Sequence, residues 1–398
     1  MTKGVAITGM GIISSIGNSV EENLQALISS KKRIAPIVNI KTRHKDEIKV
    51  GEIIQTNQEL ANLLNLPKTH NFSRTALLGS IAAKQAVKNA GMSTISEYKT
   101  GLISATSVGG MDMTEQYSTT FLRDDESAKF INSHHAGDST EKIASQLNIT
   151  DFTTTISTAC SSAANAIMLG ARLIKAGKLD RVVVGGTDCL SKFTINGFKT
   201  LMILSDTDCK PFDANRKGLN LGEAAAYLVL ESDEIIKKEN KKVLAKLTGY
   251  GNANDAFHQT ASSAEGEGAY LAMQKALKIA NINTDEIDYI NAHGTATPNN
   301  DASESTAIQR VFKNNIPNYS STKAFTGHTL AAAGAIEAVY SILALQNDVL
   351  FPNLNFDNLT SEIAKKPVTE ITKKTIQNVL SNSFGFGGNC STLIFSKS

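Results

Sequence analysis

Apolar residues along this chain fall into two alternating patterns. Short runs of Val, Ile and small residues, bounded by Gly or polar turns, predict strands at 4–8, 101–105, 181–184, 226–231, 244–250, 289–292 and 377–383. A run of Thr and Ile at 153–156 predicts one more strand end. Between these lie stretches with helical spacing. Residues 163–175 place Ile167, Leu169, Leu173 and Ile174 on one helix, and 330–345 is apolar almost throughout, broken by Glu337. Strands and helices alternate along the whole length, which argues for an α/β fold.

The pattern also repeats. Ile7-Thr8-Gly9-Met10-Gly11 has a counterpart in Leu247-Thr248-Gly249-Tyr250-Gly251. Ala86-Val87-Lys88-Asn89-Ala90-Gly91, followed by Leu102-Ile103-Ser104-Ala105-Thr106, is matched by Ala276-Leu277-Lys278-Ile279-Ala280-Asn281, followed by Tyr289-Ile290-Asn291-Ala292. A polar stretch at 232–242 separates the copies. Chance similarity between α/β segments is the bland alternative. The sharper expectation is a duplicated, five-layered α-β-α-β-α architecture with two sheets sandwiched by helices. Its pseudo-two-fold halves would be 1–240 and 241–398. At 398 residues the chain is too long for one simple core.

Composition narrows the classes. Hydrophobic content of 41% and charged content of 20% describe an ordinary globular protein. The net charge of +2 gives no global attraction to nucleic acid. Four cysteines without regular spacing make neither a disulfide framework nor a zinc-ligand set, so a reducing cytoplasm fits. Residues 1–13 are broken by Gly4, Gly9 and Gly11 and read as strand and turn, not a signal peptide. The run 330–345 contains Glu337 and reads as too short for a membrane span. Gly9-Met10-Gly11 fails as a dinucleotide loop, because position 14 is Ser14 and the next glycine is Gly17.

The candidate chemistry begins at Cys160, in Ile156-Ser157-Thr158-Ala159-Cys160-Ser161-Ser162. It falls between a strand end and a helix start, among small side chains that leave sulfur open to a substrate. A helix N-terminus would lower its pKa. A buried structural cysteine is the competing reading. Two histidines have distinctive settings. His293 follows a strand in Asn291-Ala292-His293-Gly294-Thr295-Ala296-Thr297-Pro298. His328 precedes the apolar helix in Thr322-Lys323-Ala324-Phe325-Thr326-Gly327-His328, where a helix N-terminus would keep its ring neutral. The other histidines sit mostly in polar surroundings and read as surface residues; the His134-His135 pair is poorly placed to converge on a metal. Glu337, inside an apolar helix, needs a partner, and Lys323 is the natural one. Asn382-Ser383-Phe384-Gly385-Phe386-Gly387-Gly388-Asn389 is a glycine-rich turn able to bring N–H groups close to a ligand.

Taken together these segments resemble the elongating, two-histidine β-ketoacyl-[acyl-carrier-protein] synthases of the thiolase-like superfamily. Pro211-Phe212-Asp213, Arg216, Gly222-Glu223, Asp255 and His258 also match that family's pattern, in order and over nearly the whole chain. The resemblance implies a decarboxylative condensation of an acyl thioester with a malonyl thioester. Cys160 would carry the acyl group, and His293 and His328 would stabilise the malonyl-derived enolate. Lys323, paired with Glu337, would hold the histidines, with Asp301 and Glu304 behind them. The N–H groups of Cys160 and Phe386 would form an oxyanion hole. Thr295 and Thr297 would contact the pantetheine arm, Phe386 would gate the acyl pocket, and Phe386 and Gly387 would bind substrate. No metal and no cofactor of its own is implied; phosphopantetheine arrives on the acyl carrier protein. A homodimer, or a heterodimer with a related chain-length-factor-like subunit, is implied as well. Neither nucleic acid nor membrane is an expected partner. Basic residues Lys41, Arg43 and Lys45, or Lys68 and Arg74, are candidates to meet an acidic carrier protein.

The chain departs from the family at three places. Gly387-Gly388 is followed by Asn389-Cys390, Gly222-Glu223 is followed by Ala224-Ala225-Ala226, and the stretch 110–138 is compressed. The last feature leaves acyl length open and leans toward a specialised polyene or pigment pathway. A thiolase-type enzyme, with Cys390 as a second cysteine, is the rival reading.

Overall fold

The computed structural model describes residues 5–92 and 97–398; Gly4, the expected start of the first strand, lies outside them. Ten strands form one sheet: β1 Val5–Ser14, β2 Thr100–Ala105, β3 Phe152–Ile156, β4 Arg181–Asp188, β5 Ala224–Glu231, β6 Ala245–Asn254, β7 Tyr289–Asn291, β8 Asn318–Ser320, β9 Asn378–Phe384 and β10 Asn389–Ser396. Their order from edge to edge is β8-β7-β9-β10-β6-β1-β5-β4-β2-β3. Read outward from the centre, β1-β5-β4-β2-β3 on one side is repeated by β6-β10-β9-β7-β8 on the other. The inner pairings are antiparallel and the outer ones parallel on both sides.

The expected pair of sheets is thus joined into one. The bond between halves is short, limited to Val5 with Leu247, Ala6 with Lys246 and Ile7 with Ala245. Among the described residues six longer helices complete the layers: α1 Arg74–Asn89, α2 Ala136–Leu147, α3 Ser162–Lys175, α4 Glu267–Ala280, α5 Pro298–Phe312 and α6 Ala333–Asn347. α1 packs on β1 and β5 with α2 beside it; α4 packs on β6 and β10 with α5 beside it. α3 and α6 touch each other and strands of both halves. The result is the five-layered, thiolase-like arrangement.

The repeated glycines explain how the outer helices come so close. A Cβ on Gly9 would stand 2.3 Å from the Ala86 backbone oxygen, and one on Gly249 would stand 2.4 Å from that of Ala276. Only glycine permits that approach between strand and helix. Both copies of the motif therefore perform the same packing task.

α6 has no polar face: every residue from Ala333 to Leu345 is buried. The 18-residue stretch Leu330–Asn347, with mean hydropathy 1.2, is long and apolar enough to cross a bilayer by length and composition, which corrects the sequence expectation. Here 89% of it is buried inside the fold. The polar stretch between the halves contains the short helix Asp233–Glu239, capped by the Ser232 side chain accepting from the Ile235 N–H.

Candidate active site

β3 ends at Ile156 and α3 begins at Ser162, so Cys160 lies in the turn between them. Ala159 has φ +52°, a left-handed conformation that costs a non-glycine residue roughly 1–2 kcal/mol. Ser162 braces the turn: its Oγ accepts from the Thr158 N–H at 2.8 Å and donates to the Ala159 oxygen at 2.5 Å. Cys160 is 7% exposed and forms part of a cavity wall. The backbone N–H groups of Phe386 and of Cys160 itself lie near enough to its sulfur to favour the thiolate.

Burial pushes the Cys160 thiol up to about 11, while the Lys323 charge and those two donors act in the opposite direction. The expected lowering by a helix N-terminus is therefore overturned. Desolvation of a thiolate in this cavity is the largest influence on the group.

His293 follows β7, and His328 precedes the single turn Leu330–Ala332 that leads into α6. Their rings meet edge to face, with centroids 5.4 Å apart and planes at 86°. Each residue is 2% exposed. Both pKa values lie well below the ordinary histidine range, from burial first and then from the nearby Lys323 charge. The neutral His328 ring expected from sequence is thus present, but burial is its main cause.

The tautomers follow from the neighbours. The Leu330 N–H donates to His328 Nδ1 at 3.2 Å, so the His328 proton belongs on Nε2. Lys323 Nζ lies 3.3 Å from His293 Nδ1 and donates to the His293 backbone oxygen at 2.5 Å. An ammonium group has donors only, so His293 Nδ1 accepts and its proton also belongs on Nε2. Each ring keeps one N–H free to donate.

Lys323 is in turn ion-paired with Glu337, and both are buried. Burial raises Glu337 to about 7, against the pull of Lys323. Glu304 accepts from the N–H groups of His293 at 2.9 Å and Gly294 at 2.8 Å, and from Asn382 Nδ2 at 3.1 Å. Burial lifts it, too, to about 7. Two expectations change. Lys323 bonds His293 and has no hydrogen bond to His328. Asp301 contacts neither ring; it accepts from the Phe212 N–H at 2.7 Å and the Ala296 N–H at 3.2 Å, bracing the loop beyond His293.

One cavity of about 350 Å³ gathers Cys160, His293, His328, Thr295, Thr297 and Phe386. Gly387 is on its rim with φ +82°, donating its N–H to the Gln259 oxygen at 2.7 Å. Asp255 steadies the adjoining loop by accepting from the Ser263 N–H at 2.6 Å and Ser263 Oγ at 2.7 Å. The Phe386 ring stacks on Phe198, 5.9 Å away at 24°. Thr295 and Thr297 share a hydrogen bond of 2.8 Å between hydroxyls. Cys390 also reaches this cavity, but burial, with Asp255 and Glu304 nearby, holds its thiol far above the ordinary range. It is the cross-strand partner of Phe384. Among the described residues no group of three or more His, Cys, Asp or Glu is placed to hold a metal.

Sequence reasoning missed the apolar wall of Phe198, Ile203 and Leu219, which come from a helix and loops with no motif of their own. It also treated His44 and Arg74 as surface residues. His44 is buried against Glu47 and Lys199. Arg74 is 8% exposed and ion-paired to Glu223 at 2.7 Å, so it is no part of a docking surface.

Comparison with known proteins agrees with this geometry. The family model for the β-ketoacyl synthase N-terminal domain matches residues 2–235, and that for the C-terminal domain matches residues 244–357. A "3-oxoacyl-[acyl-carrier-protein] synthase 2" of Coxiella burnetii is 33% identical, over 99% of this chain and 98% of that protein. The solved structure "The ishigamide ketosynthase/chain length factor" superposes with a TM-score of 0.93 at 29% identity, over 100% of this chain and 99% of the other. A ketosynthase, ApeO, in complex with its chain length factor, ApeC, from Xenorhabdus doucetiae gives 0.86 at 32% identity, over 100% and 98%. With a cysteine at a strand-to-helix turn facing two Nε2–H imidazoles, and with both domain models matched along its length, the chain belongs to the β-ketoacyl synthase family of thiolase-like condensing enzymes.

Proposed function

We propose that this enzyme is a β-ketoacyl-[acyl-carrier-protein] synthase that lengthens an acyl chain by condensation with a malonyl unit. In the first step the Cys160 sulfur attacks the thioester of an acyl group carried on phosphopantetheine. A new carbon–sulfur bond forms, the old one breaks, and the thiol proton leaves with the pantetheine sulfur. The N–H groups of Cys160 and Phe386 stabilise the tetrahedral oxyanion. In the second step the malonyl thioester carbonyl accepts from Nε2–H of His293 and of His328. The bond to the carboxylate breaks, carbon dioxide leaves, and its electron pair forms the enolate. That carbanion attacks the acyl carbonyl of the Cys160 thioester, the carbon–sulfur bond to Cys160 breaks, the sulfur takes up a proton from solvent, and the 3-ketoacyl product remains on the carrier protein. Splitting one condensation into two transfers is nucleophilic catalysis.

Lys323, Glu337 and Glu304 position His293 in this reading, and Asp301 supports the loop beside it. Thr295 and Thr297 line the path of the pantetheine arm, and Phe386 with Gly387 gates the acyl side. The enzyme works in the cytoplasm, with no cofactor of its own, as two halves, 1–240 and 241–398. The strand order repeated about the centre of the sheet supports that division.

The observation that carries the reading is the shared cavity of Cys160, His293 and His328. Cys160→Ala tests it. The variant should fold, because an alanine fits that turn, yet form no acyl-enzyme by mass spectrometry and no 3-ketoacyl product. Condensation near the wild-type rate would overturn it.

Two of the similar structures are ketosynthases described with a chain length factor. This favours a second reading, in which the chain is the catalytic subunit of a heterodimer. Mass measurement of the purified chain in solution decides between a self-paired dimer and a chain that needs a partner.

A further inference from the structure

The gate loop is fastened to the nucleophile turn at both ends. At Gly385 the backbones touch: a Cβ there would stand 2.7 Å from the Thr158 oxygen and 3.2 Å from the Cys160 nitrogen. At the other end stands Asn389, one of the positions where the chain departs from the pattern it resembles. Its Oδ1 receives Ser161 Oγ at 2.8 Å, Asn165 Nδ2 at 2.9 Å and Asn252 Nδ2 at 2.8 Å. These donors come from the residue after the nucleophile, from α3, and from β6 in the opposite half.

The network extends further. Asn165 Nδ2 also donates to Thr158 Oγ1 at 2.9 Å, and Asn165 Oδ1 accepts from Ser391 Oγ at 2.8 Å and Asn252 Nδ2 at 3.1 Å. Every member is wholly or partly buried, so each lost partner leaves a polar group poorly solvated.

The loop between the two fastenings contains Phe386, which lines the same cavity as Cys160. On its far side the loop is held by the Gly387 N–H donating to the Gln259 oxygen at 2.7 Å and the Gly388 oxygen accepting from the Asp255 N–H at 2.8 Å; toward the nucleophile turn it is Gly385 and Asn389 that fasten it. A misplacement on the order of 1 Å of a donor such as the Phe386 N–H costs roughly 10²-fold in rate.

We propose that Asn389 is a positioning residue for acyl transfer: by collecting three donors on one oxygen it holds the gate loop, and with it the Phe386 N–H, against the Cys160 turn. The proposal rests on the condensing reading above. It concerns the transfer step alone, since Asn389 has no bond to His293, His328 or Lys323.

The test separates the two half-reactions. The full-length protein is given hexanoyl carrier protein, and acyl-enzyme formation is timed by mass spectrometry. Carbon dioxide release from malonyl carrier protein is measured in parallel. Asn389→Ala should slow acyl transfer at least tenfold while carbon dioxide release stays within twofold. Asn389→Asp, which keeps an oxygen for all three donors, should recover at least a third of the lost transfer rate. Equal loss of both half-reactions, or transfer within twofold of wild type in Asn389→Ala, would overturn the proposal. If Asn389→Ala does not fold, Asn389→Asp decides: transfer within threefold of wild type supports the role, and a larger loss with intact carbon dioxide release contradicts it. A wild-type protein that neither accepts hexanoyl nor releases carbon dioxide would refute the condensing reading itself.

Discussion

Lys323 is bonded to His293 at two points, donating to its backbone oxygen at 2.5 Å and facing its ring Nδ1 at 3.3 Å. The lysine thereby fixes both where the ring sits and which nitrogen keeps its proton. Its charge is balanced by Glu337, buried beside it. Lys323→Ala should lower carbon dioxide release from malonyl carrier protein at least 100-fold, because the ring is freed to take the other tautomer. It should also cost about 3–5 kcal/mol of stability, because Glu337 is left buried without its partner. The double change Lys323→Met with Glu337→Gln should regain much of the melting temperature and none of the decarboxylation. Recovery of both would mean that the pair is structural only.

Cys160 gives a prediction in pH. Its thiol is raised by burial to about 11 from an ordinary 9.0. Below that value the thiolate fraction grows tenfold with each pH unit. Alkylation of Cys160 by iodoacetamide should therefore climb steadily from pH 7 to pH 10, with no plateau near 9. The sign carries over to stability: a thiol whose folded pKa is raised favours the fold below 9, and that contribution is lost as pH rises toward 11. Levelling of the alkylation rate near pH 8 would show an activated resting thiolate instead.

The two imidazoles should fail alike. Their rings are perpendicular neighbours with equivalent free Nε2–H groups. Removing one donor from such a site costs about 10²–10³-fold. His293→Ala and His328→Ala should each lose that much carbon dioxide release and still form the acyl-enzyme on Cys160. Loss of acylation in either variant, measured by intact mass, would assign that histidine to the first step as well.

The sequence made most of this legible because its signals were local. The glycine pairs at 9 and 11 and at 249 and 251 mark strands pressed against helices, so the duplication was readable from them. Cys160, His293 and His328 sit at element ends, where small residues and glycine punctuate the pattern. What stayed hidden depends on distant partners. β8 and β10 were missed because Asn318–Ser320 is only three residues and β10 opens on Asn389. The raised Cys160 thiol was missed because burial arises from the opposite half of the chain, while the helix end that argued for a lowered value is local. Arg74 read as a surface charge because Glu223 lies far away in sequence. Asp301 was grouped with Glu304 by the resemblance, but Glu304 holds His293 and Gly294 while Asp301 holds Ala296, further along the same loop, and Phe212.

The corrected docking surface yields the last prediction. Lys41, Arg43 and Lys45 are exposed, whereas Arg74 is committed to Glu223. The 41–45 segment touches the helix Lys192–Thr200 through the 3.0 Å contact of Lys199 Nζ with His44 Nδ1. That same helix supplies Phe198 to the cavity wall, so the basic segment and the cavity share one helix. An acidic carrier protein should be drawn there by long-range attraction that salt screens within about 10 Å at 0.1 M. Reversing Lys41, Arg43 and Lys45 to Glu together should raise the apparent KM for carrier protein at least tenfold, leave kcat within twofold, and lose most of that effect in 0.5 M salt. Lys68→Glu alone should change KM by less than twofold. Arg74→Glu should act differently, destabilising the fold by placing a second carboxylate against Glu223, which a melting curve reads directly. An unchanged KM in the triple variant would move the docking surface elsewhere.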